Sequence, residues 1–319
     1  MSNVVLRRVA VALASVVLAA GCDNDLDPGT RLVDFRLLAV QADKPYAAPG
    51  EEVTLRTLAV EPFGRPVSYA WTTCANPIDS NANACLDTIV ARARAGVAPV
   101  FSQGVGNDSF TTKVPDDALS SLPEQARSGA IFGILTVACP GTIRIGPLES
   151  AGPTELPFGC IDANTRAELP YERFAVSVKR IFVRARDRNP NPAVSAVLWD
   201  GAPWPEAEIR ETVACSNDSN KFDDCPGGET HVVAALPAPD GIDSGTDEYG
   251  KPFVEQPVVQ FYATEGSFEF EARTFESAGA GTKWVARSKA KGREIVMWFV
   301  VRENRGGVGW TSRRVRVKS

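Results

Sequence analysis

Apolar residues in this chain recur at every second position over short stretches, and that period commits the chain to strands. Val53, Leu55 and Thr57 alternate with Thr54, Arg56 and Leu58, and Val67, Tyr69 and Trp71 alternate with Ser68, Ala70 and Thr72. Successive side chains of a strand point to opposite faces, so such a stretch buries one face and wets the other. Ile131 to Val137 is instead a nearly continuous apolar run, broken only by Gly133 and Thr136, as a strand covered on both faces would be. Phe174, Val176 and Val178 continue the alternation, and Phe268, Phe270 and Ala272 face away from Glu269, Glu271 and Arg273. The run Ile295 to Val301 and its return from Gly309 to Val317, turned by Asn304-Arg305-Gly306-Gly307, predict a terminal β-hairpin.

Pro49-Gly50 and Gly64-Arg65-Pro66 punctuate the first strands as turns. A single short helix is expected over 116–127, interrupted by Pro123. The segment Arg186 to Pro192, with Asn-Pro twice, reads as a boundary. Several short strands, frequent turns and little helix predict an all-β chain of two sandwich domains in tandem, residues 31–186 and 187–319.

The N-terminus speaks to compartment. Arg7 and Arg8 precede an apolar core from Val9 to Leu18, and Ala19-Ala20-Gly21 lead to Cys22. A charged start, an apolar stretch of about 7–15 residues and small residues at a cleavage point describe a secretory signal peptide, too short to be a permanent span. Leu18-Ala19-Ala20-Gly21-Cys22 resembles the bacterial lipobox, with Leu18 four residues before the cysteine where the family has it three before. The resemblance implies cleavage after residue 21 and a thiol at Cys22 carrying diacylglycerol. It also implies an N-acyl chain such as palmitate on the new amino group, and a tether over 22–30. Arg7-Arg8 lacks the flanking residues of a twin-arginine signal and reads as the positive charge of the leader.

Removing 21 of 319 residues leaves 298, with 32 basic and 39 acidic residues and a net charge of −7. A mixed, mildly acidic surface excludes nucleic acid as a partner, which needs a concentrated basic face. Six cysteines remain beyond Cys22: Cys74, Cys85, Cys139, Cys160, Cys215 and Cys225. An even number in an oxidising compartment is a disulfide framework. Proximity favours Cys74–Cys85, Cys139–Cys160 and Cys215–Cys225 among the 15 pairings that six cysteines allow. Each would close a polar loop, for on the order of 3 kcal/mol in the chain-entropy account. Zinc is the competing use, but there is no Cys-x-x-Cys pair and His231 is the only histidine.

The stretch Ala48 to Trp71, with Pro49-Gly50, Val53-Thr54-Leu55 and Pro66-Val67-Ser68-Tyr69-Ala70-Trp71, resembles the opening strands of bacterial immunoglobulin-like and PKD-like modules. Val300-Val301-Arg302-Glu303-Asn304-Arg305-Gly306-Gly307 resembles their last turn. The resemblance implies two immunoglobulin-like β-sandwiches in tandem. It implies no activity, because that family hosts adhesion, scaffolding and carbohydrate binding alike.

Motifs for chemistry are sparse. A hydrolase triad needs a histidine near a nucleophile and an acid, and His231 stands alone at the start of a strand, in Glu229-Thr230-His231-Val232-Val233. Asp243, Asp247 and Glu248 could serve as paired carboxylates but lie in a Gly- and Ser-rich stretch that reads as a solvated loop. Asp79-Ser80-Asn81-Ala82-Asn83 opens like a calcium-binding EF-hand loop, then fails with Ala84 in place of glycine and Val90 in place of glutamate. Asn217, Asp218, Asp223 and Asp224, between two cysteines, are the better candidate calcium ligands, with a polar disulfide loop as the plain alternative. Arg313, Arg314, Arg316 and Lys318 alternate with Val315 and Val317 and read as the solvent face of an edge strand, or as a contact for a partner or anionic glycan. Trp199, Trp204, Tyr249 and Phe253 flank loops of the second domain and could stack on sugars.

The expected function is non-catalytic: a lipid-anchored protein of the bacterial cell envelope that binds or spaces a protein or glycan partner. No cofactor is expected beyond the covalent lipid on Cys22. The alternatives are a structural component of an envelope assembly and an envelope hydrolase using scattered carboxylates. Thiol counting on the oxidised, unfolded mature protein should find no free cysteine; two or more titrating thiols would break the three-bridge reading.

Overall fold

The structure, a computed structural model, describes residues 29–75, 82–97, 100–147, 157–219, 221–238, 243–274, 279 and 281–319. The expected leader (1–21), Cys22 and most of the tether lie outside them. In the N-terminal half, strands β1 (Arg36–Ala42), β2 (Tyr46–Ala47), β3 (Glu52–Val60) and β4 (Ser68–Ala75) precede helix α1 (Ala82–Arg94). Strands β5 (Ser102–Val105), β6 (Ser109–Lys113), β7 (Ile131–Cys139), β8 (Gly141–Ile145), β9 (Phe158–Asp162) and β10 (Ala175–Val183) follow. The C-terminal half holds β11 (Val194–Trp199), β12 (Ala202–Pro203), β13 (Ile209–Thr212), β14 (Thr230–Pro237), β15 (Ser244–Thr246) and β16 (Pro252–Val254). It closes with β17 (Val258–Ala263), β18 (Ser267–Phe268), β19 (Ala272–Thr274), β20 (Thr282–Val285), β21 (Glu294–Arg302) and β22 (Val308–Val317).

Sheets β1-β3-β6 and β2-β10-β7-β4-β5 pack face to face in the N-terminal half. Between them Val40, Leu55, Trp71, Phe132, Ile134 and Ile181 form the core, each fully buried large apolar side chain contributing about 1.5–3 kcal/mol. Trp71 meets its polar need inside that core, donating its indole N–H to the Asn107 carbonyl at 3.0 Å. In the C-terminal half, β12-β11-β14-β20-β18 packs on β13-β22-β21-β17-β19 around Trp199, Trp204, Phe261, Trp284, Met297 and Phe299. The chain is thus all-β and sandwich-like, as the period-two patterns require.

The N-terminal half has a third layer. Cys85, Ile89, Leu86 and Val90 of α1, with Ile143 and Phe158 of the β8–β9 hairpin, cover the outer face of β4, β7 and β10. All nine residues of β7 are buried for this reason. Gly133 on β7 leaves room for the bridge between β4 and α1: a Cβ there would lie 2.5 Å from Cys74 Sγ and 3.2 Å from Cys85 Sγ. The three disulfides are Cys74–Cys85, Cys139–Cys160 and Cys215–Cys225, with Cα separations of 5.5, 5.7 and 4.8 Å. Such a set marks a protein that matures outside the reducing cytosol, in a periplasmic or extracellular setting. Among the described residues no helix is long and apolar enough to cross a membrane.

Three local expectations change. The α-helix lies at Ala82–Arg94, while 116–127 forms turns and the start of a 3-10 segment at Glu124–Gly129. Cys85, Leu86, Ile89, Val90 and Ala93 recur at helical spacing and bury against the sheet, so packing wins over the polar look of the preceding loop. The alternation over 268–273 is not one strand: β18 joins the β20 edge while β19 crosses to β17 in the opposite sheet. Phe268 is buried and Phe270 exposed, because the chain changes sheets between them. Finally, β22 is not an edge strand, since parallel β13 pairs with it on the side away from β21.

The β8–β9 hairpin is fastened by a desolvated cation. Arg65 donates to Asp162 Oδ2 at 2.7 Å and pairs with Glu61 at 2.6 Å and Asp34 at 3.1 Å. The Thr165 amide, and after it the Arg65 guanidinium, hold the Asp162 carboxyl well below the usual range, at about 2. A carboxyl lowered on folding stabilises the fold above its unfolded value near 4 and loses that contribution as pH falls toward 2. Acid unfolding followed by circular dichroism should therefore show an acid-limb slope between about pH 4 and 2 that is reduced in Asp162→Asn; an unchanged slope refutes the assignment.

Candidate functional site: the junction between the two halves

The segment between β10 and β11 is a hub. Glu248 accepts the amides of Ala185, Arg186 and Asp187 at 3.0, 2.7 and 3.2 Å, and Asp187 accepts the Glu248 amide in return at 2.7 Å. Asn189, buried, donates to Glu303 Oε1 at 3.0 Å. Asn191 donates to the Ala42 carbonyl at 2.6 Å and accepts the Val308 amide at 3.0 Å, so one side chain ties β1 to β22. The boundary expected at Arg186 to Pro192 is where no sheet continues, yet its asparagines bond to both halves.

Opposite this hub sits the turn from β21 to β22. Glu303 accepts the amides of Arg305 and Gly307 within that turn. Burial raises its carboxyl above the ordinary value, against the pull of those amides. Arg305 reaches the other way, to Glu255 at 2.9 Å, with side-chain exposures of 8% and 2%. The Arg305 guanidinium lies 3.7 Å from the Phe253 ring centroid and 4.8 Å from that of Tyr46, a cation between two aromatic rings from different halves. Gly306 and Gly307 are required by approach: a Cβ at Gly306 would meet the Phe182 ring at 3.2 Å, and one at Gly307 would meet Glu303 Oε1 at 2.5 Å and Pro192 Cδ at 2.7 Å. Beside this polar seam lies an apolar one, in which Leu32, Leu38, Ala39 and Val60 pack on Val300 and Val308.

Two cavities flank the turn and share Arg302, Glu303 and Asn304. One, of about 390 Å³, lies between the turn and Ser177–Phe182 of β10. The other, of about 860 Å³, runs along Val254–Val258. Lys179 stands in the first, donating to the Gly306 carbonyl. Burial, and after it the positive Arg302, lower its amine to about 8. A titratable amine with a lowered pKa beside a raised carboxyl in a cleft is the pattern that marks candidate binding sites.

The residues singled out from sequence fall elsewhere. His231 lies between Asp200 and Thr212, with Nδ1 2.7 Å from Asp200 Oδ2 and Nε2 2.9 Å from Thr212 Oγ1. The order acid–histidine–hydroxyl is that of a hydrolase triad, but Thr212 is 0% exposed, so no substrate carbonyl can reach its oxygen. Asp243 and Asp247 serve their own loop, Asp247 Oδ1 capping the amides of Tyr249 and Lys251 and Asp243 accepting the Ser244 amide, while Glu248 holds the hub. In the Cys215–Cys225 loop, Asp218 takes the Ser288 hydroxyl at 2.5 Å and the Lys289 amide at 2.9 Å, and Asn217 donates to Asp224. Fully buried Arg287 donates to the Asp224 and Lys221 carbonyls at 2.7 and 2.6 Å, so the cation inside this loop is a guanidinium. Among the described residues no group of three His, Cys, Asp or Glu gathers around a common point.

Trp199 and Trp204 are core residues, 6% and 1% exposed, and offer no platform for a sugar; Phe253 and Tyr249 face arginines of the junction instead. Arg313 is buried, donating to the Trp204 carbonyl, while Arg314 and Arg316 pair with Glu294 and Lys318 with Glu211. No sequence motif marks Lys179, Asn189, Glu255 or Arg305. The one available signal is the pairing of Asn189-Pro190-Asn191-Pro192, with its two side-chain amides, with the glycine-rich Gly306-Gly307-Val308-Gly309.

No family model matches the chain, and no curated protein matches it. Among solved structures it aligns with dimeric latent PorU from Porphyromonas gingivalis at 12% identity and a TM-score of 0.19, covering 89% of this chain and only 24% of that one. It also aligns with a chimeric titin Z1Z2-Z1Z2 tandem carrying a GRGDS peptide from fibronectin. That match has 9% identity and a TM-score of 0.20, and covers 89% of this chain and 100% of the other. Neither score reaches that of a shared fold.

Breaking a buried pair from one side leaves an uncompensated charge, which costs about 3–5 kcal/mol, whereas replacing both partners by apolar groups is far milder. Glu255→Ala should lower unfolding stability by an amount of that order, and Glu255→Leu combined with Arg305→Met should recover most of it. Denaturant titration checks this; equal losses in the single and double variants would show that the pair is not what holds the junction.

Proposed function

We propose that this chain is a lipid-anchored protein of the bacterial cell envelope, attached through Cys22, whose two immunoglobulin-like sandwiches, 31–186 and 187–319, act without catalysis to hold and present a binding surface for a partner. The observation that carries this reading is the junction. A buried arginine, a hydrogen-bonded linker and an apolar seam join the halves at once, as suits a protein whose work is to keep surfaces at a set distance and angle. The disulfide set supports the envelope, and the charged, apolar and small-residue order before Cys22 supports the lipid. Each buried acyl CH₂ contributes about 0.8 kcal/mol, so several chains hold firmly where one would not.

The path of the chain after the tether fits the same reading. The Ala263 amide bonds to the Thr30 carbonyl and the Leu32 amide to the Ala263 carbonyl, at 3.0 and 2.8 Å, so residues 30–32 dock on the C-terminal half before the chain enters β1. Six residues lie between Cys22 and Gly29, seven steps with a reach of at most about 25 Å, so a lipid on Cys22 would hold the Ala263 end of β17 close to the membrane.

Cys22→Ala expressed with the native leader should move the protein from the detergent phase to the aqueous phase and abolish incorporation of a palmitate analogue, with the far-ultraviolet circular dichroism unchanged. Persistence of the variant in the detergent phase overturns the anchor.

A further inference from the structure

β10 has an edge that its own sheet leaves open. β7 runs along one side of it from Ala175 to Phe182. On the other side β2 covers only Phe182 and Val183. Phe182 and Arg184 send their amides to the Pro45 and Ala47 carbonyls on that second side. Backbone groups of a strand alternate between its two flanks, so the amides and carbonyls of Val176, Val178 and Arg180 face the same way, where no strand of the described residues pairs with them. Proteins ordinarily cover or blunt such an edge, because it is a template for another strand.

This edge opens into the cleft of about 390 Å³ whose far wall is the β21–β22 turn. Gly306, against Phe182 and the Arg180 carbonyl, closes one end, and the cleft continues from there past Val178 toward Ser177. Its ionisable lining is Lys179, Arg180 and Arg302 against Glu303 alone. Three of these four are engaged: Lys179 by the Gly306 carbonyl, Arg302 by Gln260 and the Leu38 carbonyl, Glu303 by its own turn and Asn189. The Arg180 guanidinium and the Ser177 hydroxyl, both half-buried, have no hydrogen-bond or ion-pair partner among the described residues. An open row of backbone donors and acceptors, an excess of positive charge and a half-buried arginine with no protein partner among the described residues therefore share one cleft.

We propose that the open edge of β10 takes up an extended acidic segment of a partner protein as an added strand, its backbone pairing with Val176 and Val178 and the carboxylates on one face of that strand meeting Arg180. Main-chain pairing supplies affinity in this mode of recognition, and the side chains alternating along the added strand supply selectivity. The inference deepens the binding reading above and does not depend on the anchor: the cleft lies wholly within the described residues, so a failed Cys22→Ala experiment leaves it standing.

The test is fluorescence anisotropy on the full chain in detergent with three blocked heptapeptides: one alternating glutamate and valine, one alternating lysine and valine, and the glutamate peptide N-methylated at every second amide. The first should bind saturably and the second should not. Methylation removes ladder hydrogen bonds and should weaken binding about tenfold or more, as should Arg180→Glu, which reverses a charge-assisted contact. Val178→Pro deletes an amide that faces the cleft and should weaken binding while leaving the circular dichroism spectrum intact; if that variant unfolds, the methylated peptide carries the same test. Equal affinity for the methylated and unmethylated peptides overturns the proposal. So does displacement of the glutamate peptide by inorganic phosphate at constant ionic strength, which would make the cleft a simple anion site. Failure of the glutamate peptide to bind at all also overturns it.

Discussion

A guanidinium taken out of water must find acceptors for its N–H groups, and this requirement organises the molecule at three places. Arg65 gathers Asp34, Glu61 and Asp162 and so fastens the β8–β9 hairpin to the turn after β3. Arg287 gathers carbonyls of the Cys215–Cys225 loop and the Ser267 hydroxyl. Arg305 gathers Glu255 and the rings of Tyr46 and Phe253. In each case irregular backbone is shaped around a cation that the chain itself provides. Burying a pair is weak as a source of net stability but severe when one partner is lost, so these loops have few arrangements that satisfy the arginine beneath them.

The junction shows what this achieves at larger scale. A linker with Asn-Pro twice would ordinarily be a loose spacer, since proline stiffens the chain without bonding it to anything. Here the two asparagines direct their amides into the neighbouring halves, and the glycines opposite allow the backbone to come close enough to receive them. Apolar contact between Leu38, Val60, Val300 and Val308 excludes water next to these bonds. Each kind of contact strengthens the other, because hydrogen bonds gain in a dry surrounding and leave a heavy penalty if unmade.

Much of the strand content was legible because a sandwich writes itself into sequence as period two, and β3, β4, β7 and β21 each appear where their alternation or apolar run lies. The cysteine pairs were legible from proximity, since each bridge spans a short separation. What the residues did not disclose is long-range partnership. The helix at Ala82–Arg94 was hidden by the polar, Asn-containing stretch before it, although its apolar residues keep helical spacing once α1 is known to lie on β4 and β7. Arg305 and Asn189 read locally only as parts of a turn and a linker. Their significance comes from contact with residues 50 and 114 positions away, and a solvated loop residue and a buried clasp look identical in a one-dimensional string. The candidate cleft was invisible for the same reason: it is the space left between a strand edge and a turn that only folding brings together.

The docking of Thr30 and Leu32 beside Ala263 also fixes how the molecule carries load. A pull applied at residue 29 is not delivered first to the N-terminal half that follows it in sequence. Tension passes into the end of β17 through two backbone bonds and the Arg31–Glu265 pair, and from there into β21 and β22, before β1 feels it. The last strands of the chain thus act as the mechanical root for residues 29–32, and the junction is in the force path. Stretching such a protein would shear the Arg31–Ala263 bridge and strain the apolar seam together, with the three disulfides confining any yielding to segments outside their loops.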